Sequence, residues 1–262
     1  MPIRESEARR ADIVRQARSV GLAGVDDLAA QFGVTPSTIR RDLAHLTSRG
    51  LIARTYGGAI ALESTRESSL RQRTAESYDA KRAIAAWAAS QVRDGETVIV
   101  DAGTTAGEVG AHLRDTRDVT VIAAGLTVLE ALVDAPVRIE CLGGTLRPLT
   151  QGFVGPLAEA TLTRLTAHHA FLGADAVHAR FGICEAESAQ TRLKEMMMER
   201  ADHVWVLAHA AKLGQKPFHA WAALPAGATL VTDSSAREED LAPFRSAGIA
   251  VVVAPDIVER SA

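Results

Sequence analysis

The stretch Gly33-Val-Thr-Pro-Ser-Thr-Ile-Arg-Arg-Asp-Leu43 decides how this chain begins to fold. Pro36 suits the first position of a helix, where no amide donor is needed and its fixed φ is already helical. Thr35 before it can serve as N-cap. Ile39, Leu43 and Leu46 recur at i, i+4 and i+7 and make one apolar stripe. Ser37, Thr38, Arg40, Arg41 and His45 fall off that stripe. Adjacent guanidiniums on such a face can reach phosphates or the N7/O6 edge of guanine, and hydroxyls can take either role. The pattern predicts a DNA-recognition helix; the competing reading is a three-helix packing unit with solvated arginines.

The flanks favour the first reading. Ile13, Val14 and Ala17 predict an amphipathic helix over about residues 5–19. Val25, Leu28, Ala29 and Phe32 predict a second, with Asp26 and Asp27 near its positive end. Gly33 supplies a tight turn, which completes a helix-turn-helix spacing. After Gly50, the run Leu51-Ile-Ala-Arg-Thr-Tyr-Gly-Gly-Ala-Ile60 predicts two short strands around Tyr56-Gly57-Gly58. Such a β-wing would place Arg54 and Tyr56 near a sugar-phosphate backbone.

The 262 residues are enough for one large core plus a small domain, and 47% hydrophobic content with 4% aromatic suits an Ala/Val/Leu-rich α/β protein. No apolar run reaches membrane-span length, and the charged N-terminus from Arg4 onward does not read as a signal peptide. Cys141 and Cys184 lack CxxC spacing and are expected to be reduced, buried thiols of a cytoplasmic protein. Net charge is −3 but unevenly spread: residues 1–62 hold nine Arg/Lys and six Asp/Glu, and the rest hold 20 and 26. A basic head on an acidic body fits contact with DNA at one end only.

Three regions are expected: a DNA-binding domain over residues 1–60, a polar linker over 61–77 and a second domain over 78–262. In the last, strands at Thr97–Val100, Val119–Ala123, Val137–Leu142, Ala170–Leu172, Val204–Ala208, Thr229–Thr232 and Ala250–Val253 alternate with helical patterns. That alternation predicts a mostly parallel sheet with helices on both faces. Ligands of such sheets bind beyond the carboxyl ends of the strands.

Several polar groups fall there. Asp101-Ala-Gly-Thr-Thr-Ala-Gly107 follows the first of these strands and opens a helix. Gly103, Thr104 and Thr105 read either as an anion-binding loop or as an ordinary strand-to-helix turn. Gly143 and Gly144 permit a close turn, and Arg147 reads as an anion contact or a salt-bridged surface residue. Asp175 can hold a sugar hydroxyl or cap the next segment. Lys194 sits on a helix and Lys212 just after a strand; lone lysines are most often solvated, and Lys212 is better placed for an anion. Met196–Met198 fit a core or subunit contact. His168-His169 lack partners at metal-ligand spacing, so no metal site is expected. No cofactor is expected either.

Residues Arg9 to Ala59 resemble the winged N-terminal domain of DeoR-family transcriptional regulators, carried by Val-Thr-Pro-Ser-Thr-Ile-Arg-Arg-Asp-Leu, Gly50-Leu51 and Arg-Thr-Tyr-Gly-Gly-Ala. The family usually has His where Tyr56 stands. The second domain resembles the family's effector domain through Asp101, Gly103-Thr104-Thr105, Gly143-Gly144, Arg147, Gly173-Ala174-Asp175, Lys194 and Lys212. The resemblance covers nearly the whole chain. It implies a fold similar to ribose-5-phosphate isomerase, a phosphate site at Gly103–Thr105, and ligand contacts from Asp175 and Lys212. The family commonly carries Thr-Asn-Ser where this chain has Ala123-Ala124-Gly125, Gly where it has Ala176, and Asp-Ser-Ser where it has His209-Ala210-Ala211. A site that loses such hydrogen-bonding groups loses discrimination for hydroxyls.

The resulting expectation is a non-enzymatic regulator, most simply a repressor of a carbohydrate operon. Its partners would be double-stranded operator DNA, a phosphorylated sugar or related effector, and further copies of itself, with no membrane. Two rivals stand beside it: a constitutive DNA-binding regulator with a vestigial pocket, and a sugar-phosphate isomerase using Asp175 and Glu185 as acid and base.

Overall fold

A turn at Gly33 sets the N-terminal architecture. Its φ of 62° costs glycine little and lets the chain leave one helix for the next. The computed structural model describes residues 2–19, 25–48, 52–55, 58–61 and 70–257. The chain divides into two units, Met1–Glu67 and Ser68–Ala262.

The first unit holds α1 (Pro2–Ser19), α2 (Val25–Phe32) and α3 (Pro36–Ser48), then an antiparallel hairpin of β1 (Ile52–Thr55) and β2 (Gly58–Ala61). Val34 N donates to Ala29 O (3.1 Å) across the Gly33 turn. Ile39, Leu43 and Leu46 of α3 pack with Ile13, Leu28 and Ala29 in one buried cluster, so the apolar stripe of the sequence is the core of this unit. Fully burying one such aliphatic side chain contributes about 1.5–3 kcal/mol.

The second unit runs α4 (Leu70–Ala75), α5 (Tyr78–Ala89), β3 (Thr97–Val100), α6 (Thr104–His112), β4 (Thr120–Ala123), α7 (Leu126–Leu132) and β5 (Arg138–Cys141). A hairpin of β6 (Thr145–Arg147) and β7 (Gly152–Val154) leads to α8 (Pro156–Leu162) and β8 (Ala167–Leu172). Then follow β9 (Ala176–His178), β10 (Gly182–Glu185), α9 (Ser188–Glu199), β11 (Ala201–Leu207), a 3-10 turn at Ala210–Lys212, β12 (Ala220–Ala222), β13 (Thr229–Thr232), α10 (Glu238–Ser246) and β14 (Ala250–Val253).

Seven strands form a parallel sheet in the order β14-β13-β11-β8-β3-β4-β5. Alternate residues of the central strands face opposite cores. Val98 and Val100 join Ala88, Val109 and Leu132 from α5, α6 and α7. Ile99 joins Leu162, Leu193 and Phe244 from α8, α9 and α10. The parallel α/β domain expected from strand-helix alternation is therefore the domain observed.

The β6-β7 hairpin and a second sheet, β12-β10-β9, were not anticipated, because strands of three or four residues carry too little periodicity to register. Helix α4 falls inside the stretch expected to be linker, part of which (62–69) lies outside the described residues. Cys184 is buried as expected, but Cys141 is exposed, at the end of β5, the last strand of the sheet among the described residues. Met196, Met197 and Met198 are buried.

The topology fixes where a ligand can sit. From β3 the chain builds outward through β4 to β5; from β8 it builds the other way through β11 and β13 to β14. The crossing point lies between β3 and β8. Loops leaving the carboxyl ends of these two strands diverge and leave a crevice.

Candidate functional site

Asp101 follows β3 and Gly173 follows β8, and the two loops are joined directly. Asp101 Oδ1 accepts from Ala102 N (2.7 Å), and Oδ2 accepts from Gly173 N (3.0 Å). Lys194 of α9 donates to Asp101 Oδ2 and to Gly173 O, the latter at 2.9 Å. Its ammonium also lies 3.1 Å from Glu185 Oε1 at the end of β10. Glu185 Oε2 accepts from Gln190 Nε2 (3.1 Å).

All four side chains are buried, and burial governs their charge. It opposes protonation of Lys194, yet Asp101 and Glu185 together hold that pKa above the ordinary lysine value. It pushes the Glu185 carboxyl up to about 7 against the pull of Lys194, with Asp175 and Asp101 adding to the rise. Lys194 is thus the counter-ion that lets two carboxylates share this interior.

The N-terminus of α6 forms the facing wall. Gly103, with φ 111° and ψ 180°, precedes its first residue, and Gly107 N closes the first turn on Gly103 O (2.9 Å). Amides in a first helical turn have no intrahelical acceptor and carry the positive end of the helix dipole. Lys212 completes the surround from the 3-10 turn after β11, with its ammonium donating to Ala174 O. Burial lowers its pKa to about 8; Asp175 opposes the fall, and Arg73 and Lys81 add to it.

One pocket of about 40 Å³ brings together Asp101, Gly103, Thr104, Thr105, Asp175, Lys194 and Lys212. Gly143, Gly144 and Arg147 do not line it. The two glycines form the turn between β5 and β6, and Arg147 Nη2 pairs with Glu187 Oε1 (2.9 Å) at the head of α9. Sequence reasoning missed three lining residues, Arg73, Thr150 and Gln190. Arg73 sits in a charged stretch without core periodicity, and nothing local marks the other two.

The replacements at this end of the sheet have structural counterparts. A Cβ on Gly125 would lie 2.6 Å from Ala102 Cβ and 3.0 Å from Gln151 O, so glycine alone fits beside Ala102. Ala124 belongs to the apolar core and Ala176 is buried in β9. His209 and Ala211 line a different cavity of about 700 Å³, together with Arg82 and Asp233. Ala210 N donates to Asp233 Oδ1 (2.7 Å). Burial, then Lys212 and Lys81, bring the His209 pKa down to about 4. His169 hydrogen-bonds Glu96 (3.1 Å) and accepts from Trp205 Nε1 (3.0 Å). Among the described residues no group of three His, Cys, Asp or Glu is arranged to hold a metal ion.

In the first unit, Thr35 caps α3, accepting from Thr38 N at its carbonyl (2.9 Å) and its Oγ1 (3.3 Å). Ser37, Arg40 and Arg41 are exposed, and Thr38 and His45 are half-buried. Asp42, in the same run, turns inward to Arg9 and Arg10 of α1. Arg54 lies in β1, but its side chain, like Tyr56 altogether, is outside the described residues.

This pairing of units has known relatives. The family model of the DeoR-like helix-turn-helix domain matches residues 9–65, and that of the DeoR C terminal sensor domain matches residues 76–234. The chain belongs to the DeoR family of transcriptional regulators. This DeoR-family chain is 32% identical over 249 residues to a putative aga operon transcriptional repressor of Escherichia coli O157:H7, covering 94% of this chain and 93% of that protein. It is 33% identical over 229 residues to the HTH-type transcriptional regulator GlpR of Haloferax volcanii, covering 87% and 90%. It is 28% identical over 208 residues to the glycerol-3-phosphate regulon repressor of Escherichia coli K12, covering 79% and 82%. Among solved structures, ribose 5-phosphate isomerase A of Methanocaldococcus jannaschii overlays half of each chain (50% and 52%) with a TM-score of 0.37 and 16% identity. No helix among the described residues is long and apolar enough to cross a membrane.

Proposed function

We propose that this DeoR-family protein is a cytoplasmic repressor of a carbohydrate-metabolism operon, released or tightened on its operator by a small phosphorylated polyol. The supporting observation is the convergence, at the crossing point of the sheet, of the α6 N-terminus with Asp175 and Lys212. The Gly103–Thr105 turn would take the phosphate through backbone amides and two hydroxyls, with Lys212 as its cation. Asp175 would accept from polyol hydroxyls. Asp101, Glu185 and Lys194 would brace the site from behind.

On α3, Arg40 and Arg41 would contact phosphates or guanine edges, with Ser37, Thr38 and His45 beside them and Arg54 and Tyr56 on the wing. A single headpiece buries too little surface for tight specific binding, so the operator would be held by a dimer or larger assembly.

The isomerase alternative has little to work with. Its acid/base pair would be Asp175 and Glu185, but these are held in ion pairs with Arg73 and Lys194. The constitutive-regulator reading draws on the apolar residues at Ala124 and Ala176 and on the small free volume of the pocket. Fluorescence anisotropy on DNA flanking the protein's own gene, titrated with pools of phosphorylated sugars and polyols, separates the readings. Competitor-resistant binding altered by one pool supports the ligand-controlled repressor. Binding indifferent to every pool favours the constitutive regulator.

A further inference from the structure

The pocket is filled by its own chain. Arg73, on α4, brings Nη1 to 3.2 Å from Asp175 Oδ1, with the two side chains only 14% and 8% exposed. Lys81 of α5, itself buried, donates its ammonium to the Arg73 carbonyl and so clamps the end of α4 in place. With the guanidinium seated, about 40 Å³ remains free. Pockets that hold small molecules generally offer about 300 Å³ or more. The seated guanidinium thus takes up room that a polyol phosphate would need beside Asp175.

We propose that Arg73 is a built-in stand-in for the effector, neutralising Asp175 while the site is empty and leaving it when a phosphorylated polyol enters. The inference rests on the reading of this pocket as the effector site and adds how occupancy is registered. Asp101 is committed to Lys194 and to backbone amides, so Asp175 is the carboxylate whose partner changes. Departure of the guanidinium enlarges the pocket and gives Asp175 hydroxyl donors in exchange. Helix α4 also borders a neighbouring cavity of about 400 Å³ lined by Leu70, Thr74, Glu108 and Glu130. That space leaves room for side-chain movement beside α4, and its two carboxylates are candidate partners for a guanidinium that leaves Asp175. Helix α4 begins two residues after the second unit starts, at Ser68. A ligand shifts such an equilibrium only through unequal affinity for the two arrangements, and here the inequality is steric.

The test uses the full chain with ribose 5-phosphate and glycerol 3-phosphate as probes, read by calorimetric titration and by hydrogen exchange over residues 70–75. Arg73→Ala should bind the responding probe about tenfold more tightly, because the self-occupied state no longer competes. Arg73→Lys, which keeps the charge, should stay nearer to wild type. In the wild-type protein the probe should raise exchange over 70–75. Circular dichroism confirms that each variant is folded, with Arg73→Gln as the substitute if the alanine variant is not. Equal affinities with unchanged exchange would overturn the stand-in while leaving the effector site standing. Weaker binding by Arg73→Ala would overturn it too, making Arg73 a ligand contact. Absence of binding in every variant would overturn both the stand-in and the effector-site reading.

Discussion

Arg10 Nε lies 2.6 Å from Asp42 Oδ1, and Arg9 Nε holds the other oxygen of the same carboxylate at 2.7 Å. The aspartate of the Ile-Arg-Arg-Asp-Leu run is thus an internal brace between α3 and α1, while the two arginines before it face solvent. One short run therefore carries two jobs at neighbouring positions, and substitution separates them.

Asp42→Ala should loosen the first unit. Asp42 is 2% exposed, and its loss strands two partly covered guanidiniums. The cost is about 2 kcal/mol, between that of a surface pair and that of breaking a fully buried one. Urea unfolding followed by circular dichroism should show an early transition moving to lower denaturant, with operator affinity falling as a consequence.

Arg40→Ala and Arg41→Ala should behave differently. Both side chains are exposed, so unfolding curves should stay put. An arginine that meets a phosphate should, when removed, lower operator affinity and reduce the salt slope by about one; one that meets a guanine edge should instead relax sequence preference. Unchanged affinity in both variants would move the DNA-reading surface off this face.

Thr104→Ala combined with Thr105→Ala should abolish the response to the effector and spare DNA binding. The hydroxyls stand at the start of α6, in the second unit, whereas the proposed DNA contacts are in the first. Anisotropy with and without the responding phosphopolyol reads both properties in one titration.

Glu185→Gln should change the dependence of stability on pH. Burial raises the Glu185 pKa from 4.5 to about 7, so the folded chain holds this proton more tightly than the unfolded chain does. The contribution favours folding fully below pH 4.5 and is lost as pH rises through about 7. The difference in thermal midpoint between wild type and Glu185→Gln should therefore move in favour of the variant across that window. A difference that stays flat would mean that Glu185 is ionised throughout, held by Lys194.

Much of this was legible in the chain itself. Helices α2 and α3, the Thr35 cap, the Gly33 turn and the seven core strands are local patterns, set by side-chain period and backbone preference within a few residues. Parallel strands buried on both faces read as short apolar runs, and the residues just after them are the ones that reach a crevice. Asp101, Gly103–Thr105, Asp175 and Lys212 could accordingly be named from position alone.

What only the tertiary structure decided is which of those residues meet, and what already fills the space between them. Arg147 and Gly143-Gly144 follow a strand as Asp101 does, yet β5 lies two strands from the crossing point, and the β6-β7 hairpin directs Arg147 to Glu187. Arg73 has no signature in a charged stretch, and its ion pair with Asp175 spans a hundred residues of chain. Local sequence determines the conformation of each segment, because backbone and rotamer preferences act over a few residues. Contacts between distant segments depend on strand order and on the volume left after packing, and neither is written at any one position.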